Sequence, residues 1–186
     1  MEQQLKELEI KPNKLAFQVA AAFSVYTIVL IFLFKFLGID VQEENVPVVT
    51  KIMSAVLSYL PYVLAILFAQ IRHRNDLGGY ITFARAFSTG FRVSATAGMF
   101  IGLLMILYYK VLDPAALEHI LDIAIEKASE SAGDSAKAIR SVKAMGAYMP
   151  IMIGFGAAIT YTIYGIIISV VGAAVNKRIA PVKFDQ

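Results

Sequence analysis

The chain of 186 residues contains no cysteine and only two histidines. The absence of cysteine excludes disulfides, thiolate nucleophiles and thiolate metal sites. Neither a GxxxxGK nor a GxGxxG pattern occurs, so glycine-rich phosphate loops of these two kinds are excluded as well. Charged residues are scarce at 17%, and the formal net charge of +3 is too small to indicate a nucleic-acid partner.

Hydrophobic residues make up 58% of the chain, and the mean hydropathy is +0.66. Soluble domains are closer to half apolar and a quarter charged. Here the apolar residues form four long runs, near 15–38, 48–71, 86–112 and 150–175. About 20 such residues cross ~30 Å of hydrocarbon. The sequence therefore predicts an all-α integral membrane bundle of four transmembrane helices, organised as a single membrane domain over 1–186.

The distribution of basic residues predicts how the bundle is oriented. With the N-terminus in the cytosol, ten lysines and arginines fall on the inner side and seven on the outer side. The short loop with Asp40, Glu43 and Glu44 fits the outer side. We therefore expect both termini in the cytosol. His73 and His119 then lie on opposite sides of the membrane, which rules out a histidine-paired metal site within one chain.

The segment 113–145 is the only long stretch outside the predicted spans. Asp113 followed by Pro114 predicts a helix start, in which the aspartate oxygen caps free N–H groups. Apolar residues then recur at helical spacing, and Gly133 followed by Asp134 predicts a break and a second helix. We expect an amphipathic helical hairpin, or a bent helix, on the outer membrane surface.

Four arginines precede or open the third run: Arg72, Arg74, Arg85 and Arg92. If the span begins near Tyr80, Arg92 lies close to the membrane midplane, where a charge costs ~3 kcal/mol or more. If the span begins at Val93, Arg85 and Arg92 share one helix face and reach lipid phosphates with their stems buried. We favour the second placement, in which the four arginines contact lipid phosphates at the cytosolic end of the span. Specific binding of an anionic lipid or of a lipid-pyrophosphate substrate is the sharper alternative, and the sequence does not separate the two.

Small residues line one face of the third and fourth spans at steps of three or four residues. They are Ser94, Gly98 and Gly102 in the third span, and Ala158, Gly165, Ser169 and Gly172 in the fourth. Small side chains let helix backbones approach closely in lipid. We favour packing of the third span on the fourth within one chain, and a homo-oligomer or a partner membrane protein is the alternative.

Three stretches of the chain resemble a known family. They are "GGYITFARAFSTGF" at 78–91, "YYKVLDP" at 108–114 and a glycine-rich last span closed by "NKR". Together they resemble the small four-helix membrane proteins grouped as domain of unknown function 4199, which occur in Gram-negative bacteria. The resemblance covers nearly the whole chain. It implies an inner-membrane location and an order of two spans, a basic turn and two more spans. The family has no established activity, so the resemblance implies no catalytic residues.

The spans carry no group of side chains that is typical of catalysis, so we expect no enzymatic activity, no metal and no cofactor. The favoured function is a non-enzymatic membrane subunit that serves as a scaffold or partner for another envelope protein. A small transporter, or a flippase for lipids or lipid-linked sugars, is the alternative. It is indicated by Arg92, by hydroxyls such as Ser54 and Ser58 within the spans, and by Pro61, which predicts a kink in the second span.

Overall fold

A computed structural model describes residues 10–39, 46–130 and 134–179. These ranges contain six α-helices: α1 (Asn13–Phe36), α2 (Val48–Asp76), α3 (Phe83–Leu107), α4 (Pro114–Ser129), α5 (Ser135–Met145) and α6 (Met149–Asn176). A π-helical turn, Tyr108–Leu112, extends α3, and a 3-10 turn, Gly146–Tyr148, joins α5 to α6. The predicted all-α architecture is confirmed.

Four helical segments are long and apolar enough to cross a membrane, within the part of the chain that the structure describes. They correspond to α1, α2, α3 with its π-helical turn, and the path through α5 into α6. Their surfaces remain apolar on the outside, where Phe36 of α1 is 87% exposed and Phe155 of α6 is 67% exposed. So much exposed apolar surface on all four segments is stable only in contact with lipid.

The helix ends differ from the predicted spans mainly in α2. The apolar run predicts an end near residue 71, but α2 continues to Asp76. Gly78 and Gly79, with φ of 85° and 93°, end it in the left-handed region. The basic segment that sequence reasoning treats as a turn is therefore the last turn of α2. At the other side of this connection, the Thr82 side chain caps α3 by accepting from the Arg85 N–H.

Helix α3 is central, because it packs on α1, on α2 and most extensively on α6. The small-residue faces make this close approach possible. A Cβ atom on Gly98 would lie 2.6 Å from the Ala158 carbonyl oxygen, and one on Gly102 would lie 2.7 Å from that of Gly154. A Cβ atom on Gly165 would collide with the Ser94 side chain. These small residues are therefore occupied by contacts within one chain.

Helix α2 runs through Pro61 as a single helix, near the point where sequence reasoning predicts a kink. Proline leaves the carbonyl four residues earlier without its helical donor. That carbonyl belongs to Leu57, and it accepts a 2.7 Å hydrogen bond from the Tyr26 hydroxyl of α1. The carbonyl that lacks a helical donor in α2 thus forms a contact between α1 and α2.

Helices α4 and α5 form the predicted hairpin beyond the end of α3, and they pack on each other. Asp134 caps α5 by accepting from the Lys137 N–H at 3.2 Å, as expected. The predicted start of α4 is confirmed, because the helix begins at Pro114 directly after Asp113. The Asp113 side chain makes no capping hydrogen bond, and its carboxylate bonds instead to Lys35 and Tyr108. Gly133, the predicted break between the two helices, lies outside the described residues. So do Asp40, Glu43 and Glu44 of the predicted outer loop.

Candidate binding sites at the two ends of the bundle

The two ends of the bundle differ in charge. We call the end at which α1 begins and α6 terminates the basic end, and the end covered by α4 and α5 the hairpin end. Among the described residues, the basic end has a single acidic side chain, Asp76. Its basic side chains are Lys11, Lys14, Arg72, Arg74, Arg85, Arg92, Lys177 and Arg178. Counted over the described residues, the hairpin end has acidic and basic side chains in nearly equal number.

The four arginines that sequence reasoning groups together have different surroundings at the basic end. Arg72 forms an ion pair with Asp76 at 3.4 Å and is 61% exposed. Arg74 faces α6, where it donates to the Asn176 carbonyl at 3.5 Å. Arg92 donates to the Asn13 side chain. Since Asn13 begins α1, this bond holds the Arg92 guanidinium at the level of the first turn of α1.

A buried amide, Gln70, joins three helices just inside the basic end. Its Nε2 donates to the Ala86 carbonyl at 3.1 Å and to the Ser169 carbonyl at 3.0 Å. Its Oε1 accepts from the Asn176 amide at 3.2 Å. Glycine stands at position 172 because a Cβ atom there would collide with Gln70. The described parts of α2, α3 and α6 are therefore closely packed at this end. The signal in the sequence that could have indicated this contact is an amide side chain within an apolar run.

His73 lies beside this amide and is almost completely buried, with 1% of its surface exposed. Its Nε2 atom has no hydrogen-bond partner within the described residues. The charges of Arg85, Arg92 and Asp76 lie within electrostatic range of the imidazole. The α3 arginines are thus close to the last turn of α2. A short antiparallel backbone bridge between Ile81 and Arg178 ties the same region to the end of α6.

At the hairpin end, Asp113 accepts hydrogen bonds from the end of α1 and from the π-helical turn that follows α3. The Lys35 Nζ lies 2.5 Å from its Oδ2, and the Tyr108 hydroxyl lies 2.7 Å from the same oxygen. The hydrogen bond from Lys35, followed by that from Tyr108, lowers the pKa of the Asp113 carboxyl below its ordinary value. This carboxylate therefore fastens the start of α4 to the end of α1.

Two partly open cavities lie at the hairpin end. The first, of about 530 Å³, is lined by α1, by the π-helical turn and by the start of α4, and it includes Lys35, Asp113 and His119. The second, of about 350 Å³, lies between α1 and α2 and includes Lys51, Ser54 and Ser58. Ile31, Phe34 and Met105 line both. The two cavities therefore adjoin, and we call them the joined cavities.

An aromatic layer lies at the inner end of the joined cavities. Tyr59 and Tyr161 line the second cavity, and their rings are stacked at 6.4 Å between centroids. Behind them, the Tyr62 hydroxyl donates to the Tyr161 carbonyl at 2.7 Å, and the Tyr62 ring packs on Phe23 at 4.9 Å. The space at the hairpin end is thus separated from the basic end by stacked side chains and by the Gln70 contacts.

A third hollow, of about 450 Å³, lies on the outside of the α3–α6 pair. Its lining is almost entirely apolar and includes Met99, Leu103, Phe155 and Ile159. Within the described residues, no group of three or more histidine, aspartate or glutamate side chains has the geometry to hold a metal ion. Sequence reasoning missed Gln70, the contact between Lys35 and Asp113, and Lys51. The contact joins residues that are far apart in the chain, and Lys51 belongs to no local motif.

Comparison with known proteins identifies one family. The family model described as "Protein of unknown function (DUF4199)" matches residues 18–178. No curated protein and no solved structure matches the chain significantly.

Proposed function

The chain belongs to the DUF4199 family of proteins of unknown function, and from that premise we propose that it is a non-enzymatic membrane protein that takes an amphiphilic molecule into the joined cavities. This activity is typical of a small transporter or a lipid flippase. The single observation that carries the proposal is the pair of adjoining cavities, which reach from the hairpin end to the aromatic layer. Their volumes lie in the ~300–1,000 Å³ range of small-molecule sites.

The composition of the cavity wall supports an amphiphilic ligand. The wall of the second cavity contains aliphatic side chains such as Leu30, Ile31 and Met105 as well as the hydroxyls of Ser54, Ser58 and Thr27. A hydrocarbon chain matches the first set, and oxygen-rich groups match the second. The Thr27 hydroxyl donates to the Phe23 carbonyl of its own helix, so the hydroxyls of Ser54 and Ser58 are the ones that the proposal assigns to the ligand.

The closed basic end supports a role in transport. A transporter exposes its site to one side of the membrane at a time and keeps the other side sealed. Here the Gln70 hydrogen bonds and the Tyr62–Tyr161 contacts seal the side opposite the joined cavities. We infer that the structure corresponds to the state that is open toward the hairpin end.

The charge difference between the two ends supports a bacterial inner-membrane location with both termini in the cytosol. An excess of lysine and arginine at one end is the usual mark of the cytosolic side. Arg85 and Arg92 would then lie at the level of anionic headgroups, in agreement with the contact from Arg92 to the start of α1. A bound anionic lipid at this end is part of the proposal.

A photoreactive lipid tests the main proposal. The purified chain is incubated in mild detergent with short-chain phosphatidylglycerol or phosphatidylcholine that carries a photoreactive group at the end of an acyl chain. We expect crosslinks on residues of the joined cavities with at least one of the two lipids. Filling the second cavity with Ser58→Phe should weaken binding about tenfold or more, or by ~1.4 kcal/mol, because the ring occupies space that the ligand would fill.

The matched control is Val56→Phe, which adds an aromatic ring on an exposed face of the same helix. Val56 does not line the second cavity as the structure describes it. Equal binding by both variants, or crosslinks spread evenly over the lipid-facing surface, contradicts the proposal.

The apolar hollow on α3 and α6 favours a second candidate, a scaffold or partner subunit for another envelope protein. A partner helix would lie over Met99, Leu103 and Phe155, where small residues such as Gly102 form the floor. Purification in mild detergent distinguishes the two candidates. A partner protein recovered with the wild type and lost on substitution of Leu103 supports the scaffold, and recovery of lipid alone supports the transporter.

A further inference from the structure

We propose that the preferred ligand of the joined cavities is an uncharged amphiphile whose polar group is an alcohol, and that the hydroxyls of Ser54 and Ser58 bind this group. The inference rests on the proposed function, because it names the class of molecule that the same site accepts. It depends on two properties of the cavity wall: the hydrogen bonds that its hydroxyls leave unmade, and the pairing of its charged groups.

Two serine hydroxyls on the wall of the second cavity form no hydrogen bond with a described residue. They belong to Ser54 and Ser58. Hydroxyls elsewhere in the spans donate to the carbonyl four residues earlier, as those of Ser24 and Ser94 do at 2.8 Å. Ser54 is only 4% exposed. A hydroxyl in an apolar environment costs free energy until it is hydrogen-bonded. A polar group of the ligand that bonds to these serines is therefore stabilised.

The two serines lie deeper in the membrane than the hairpin end of α2. Lys51 is in the first turn of α2, and Ser54 and Ser58 follow it by three and seven residues. At 1.5 Å per residue they are ~4.5 and ~10 Å further along the helix. A polar group that contacts both serines is therefore surrounded by hydrocarbon and by the aromatic layer, in a medium of low dielectric constant.

The charged side chains that line the joined cavities already have partners in the part of the chain that the structure describes. Lys35 donates to Asp113 at 2.5 Å, and Lys51 and His119 have partners as well. A charge that enters a medium of low dielectric constant costs free energy unless an opposite charge compensates it. Because no described lining group is left to provide that compensation, an anionic or cationic group is disfavoured at the level of the serines.

An alcohol satisfies both conditions. A hydroxyl donates one hydrogen bond and accepts others, as the serine hydroxyls do, whereas an ether oxygen only accepts. Ser54 and Ser58 are four residues apart and so lie on one face of α2, with ~5–6 Å between their Cβ atoms. One ligand hydroxyl can therefore accept from one serine and donate to the other. The hydrocarbon chain of the ligand then lies along Leu30, Ile31 and Met105.

The test compares polar groups in the full-length chain, which is held in an amphipathic polymer so that no detergent headgroup competes for the site. The probes are four fluorescent lipids with the same short acyl chains: a diacylglycerol, its O-methyl ether, its glucoside and phosphatidylglycerol. We expect the wild type to bind the diacylglycerol or its glucoside about fivefold more tightly than the other two. This ratio corresponds to one or two neutral hydrogen bonds.

Two variants separate the serine hydroxyls from the rest of the cavity. Ser54→Ala combined with Ser58→Ala should abolish the preference for the diacylglycerol over its methyl ether. Thr27→Val is the matched control, because Thr27 lines the same cavity but donates its hydroxyl to the Phe23 carbonyl at 3.0 Å. This variant should retain the preference. A thermal melt of the double serine variant that matches wild type excludes misfolding as the cause.

Each result has a distinct meaning. The assignment is overturned, and the proposed function stands, if the wild type binds all four lipids equally or binds phosphatidylglycerol most tightly. An unchanged preference in the double serine variant has the same consequence. Failure of all four lipids to bind overturns the proposed function, and the inference with it. Tighter binding of the glucoside than of the diacylglycerol identifies the ligand as a glycolipid, and the reverse identifies a glyceride. Both results support the alcohol assignment.

Discussion

Single polar side chains inside this bundle bond to backbone groups of neighbouring helices, and Tyr26 is a clear case. Its hydroxyl donates to the one carbonyl of α2 that Pro61 leaves without a helical partner. In lipid no water is available to satisfy that carbonyl. A proline that would otherwise weaken a membrane helix is therefore tolerated because a tyrosine of α1 lies opposite it.

This pairing makes Tyr26→Phe sensitive to the residue at position 61. We expect Tyr26→Phe to destabilise the wild-type bundle by ~0.5–1.5 kcal/mol, the usual net value of one hydrogen bond. In a Pro61→Ala background the alanine N–H donates to the Leu57 carbonyl. Tyr26→Phe should therefore lower the free energy of unfolding much less in that background. Denaturant titration in detergent of the four proteins measures the coupling. An equal cost in both backgrounds would show that the bond does not compensate for the proline.

Gln70 shows the same principle with a larger group. A buried primary amide is costly unless most of its hydrogen bonds are made. Here the two carbonyls and the Asn176 amide satisfy both ends of the side chain. The residue thereby fixes the relative positions of α2, α3 and α6. A leucine of similar size would form none of these hydrogen bonds.

At the scale of elements, a buried carboxylate links the start of the hairpin of α4 and α5 to the end of α1. Asp113 is 7% exposed in its side chain and bonds to Lys35 and Tyr108. Its carboxyl has a lowered pKa in the folded protein. A group with a lowered folded pKa contributes stability above its unfolded pKa, and that contribution disappears as the pH falls through the folded value.

Asp113→Asn should therefore lower the melting temperature at pH 7, and the difference from wild type should shrink as the pH falls from about 4 toward the lowered folded pKa. Thermal unfolding in detergent between neutral and acidic pH measures this. Asp122→Asn, which removes an exposed carboxylate from the same helix, should have little effect at any pH. A constant difference between Asp113→Asn and wild type across the pH range would show that the ionised pair does not hold the hairpin.

For the molecule as a whole, the two ends are unequal in both charge and packing. The basic end is closed by hydrogen bonds among three helices, and the hairpin end contains the joined cavities. If the basic end is cytosolic, the cavities face the outer leaflet and the ligand enters from that side.

Labelling of single cysteines tests this orientation, and the chain provides a clean background because it has no cysteine of its own. We expect Glu126→Cys, on the exposed surface of the hairpin, to react with an impermeant thiol reagent in intact spheroplasts. Asn75→Cys, at the basic end, should react only after the membrane is opened. The reverse pattern would invert the topology and make the cavities face the cytosol.

Several features of this protein follow from the sequence alone, because they depend on residues that are close together in the chain. The length and apolarity of the four runs predict membrane helices, and these are confirmed. The Asp134 cap follows from the same local chemistry. The resemblance in "GGYITFARAFSTGF" and "YYKVLDP" leads to the family that matches residues 18–178.

Only the tertiary structure decides what the distant polar residues do. Asp113 has the local pattern of a helix cap, yet its carboxylate bonds to Lys35, which is 78 residues earlier. No local pattern around Asp113 indicates this contact, because it joins residues that only the packing of α1 against α4 brings together. The cavities have no sequence signal, because they are spaces between α1, α2, α3 and α4 whose walls are assembled only when those helices pack.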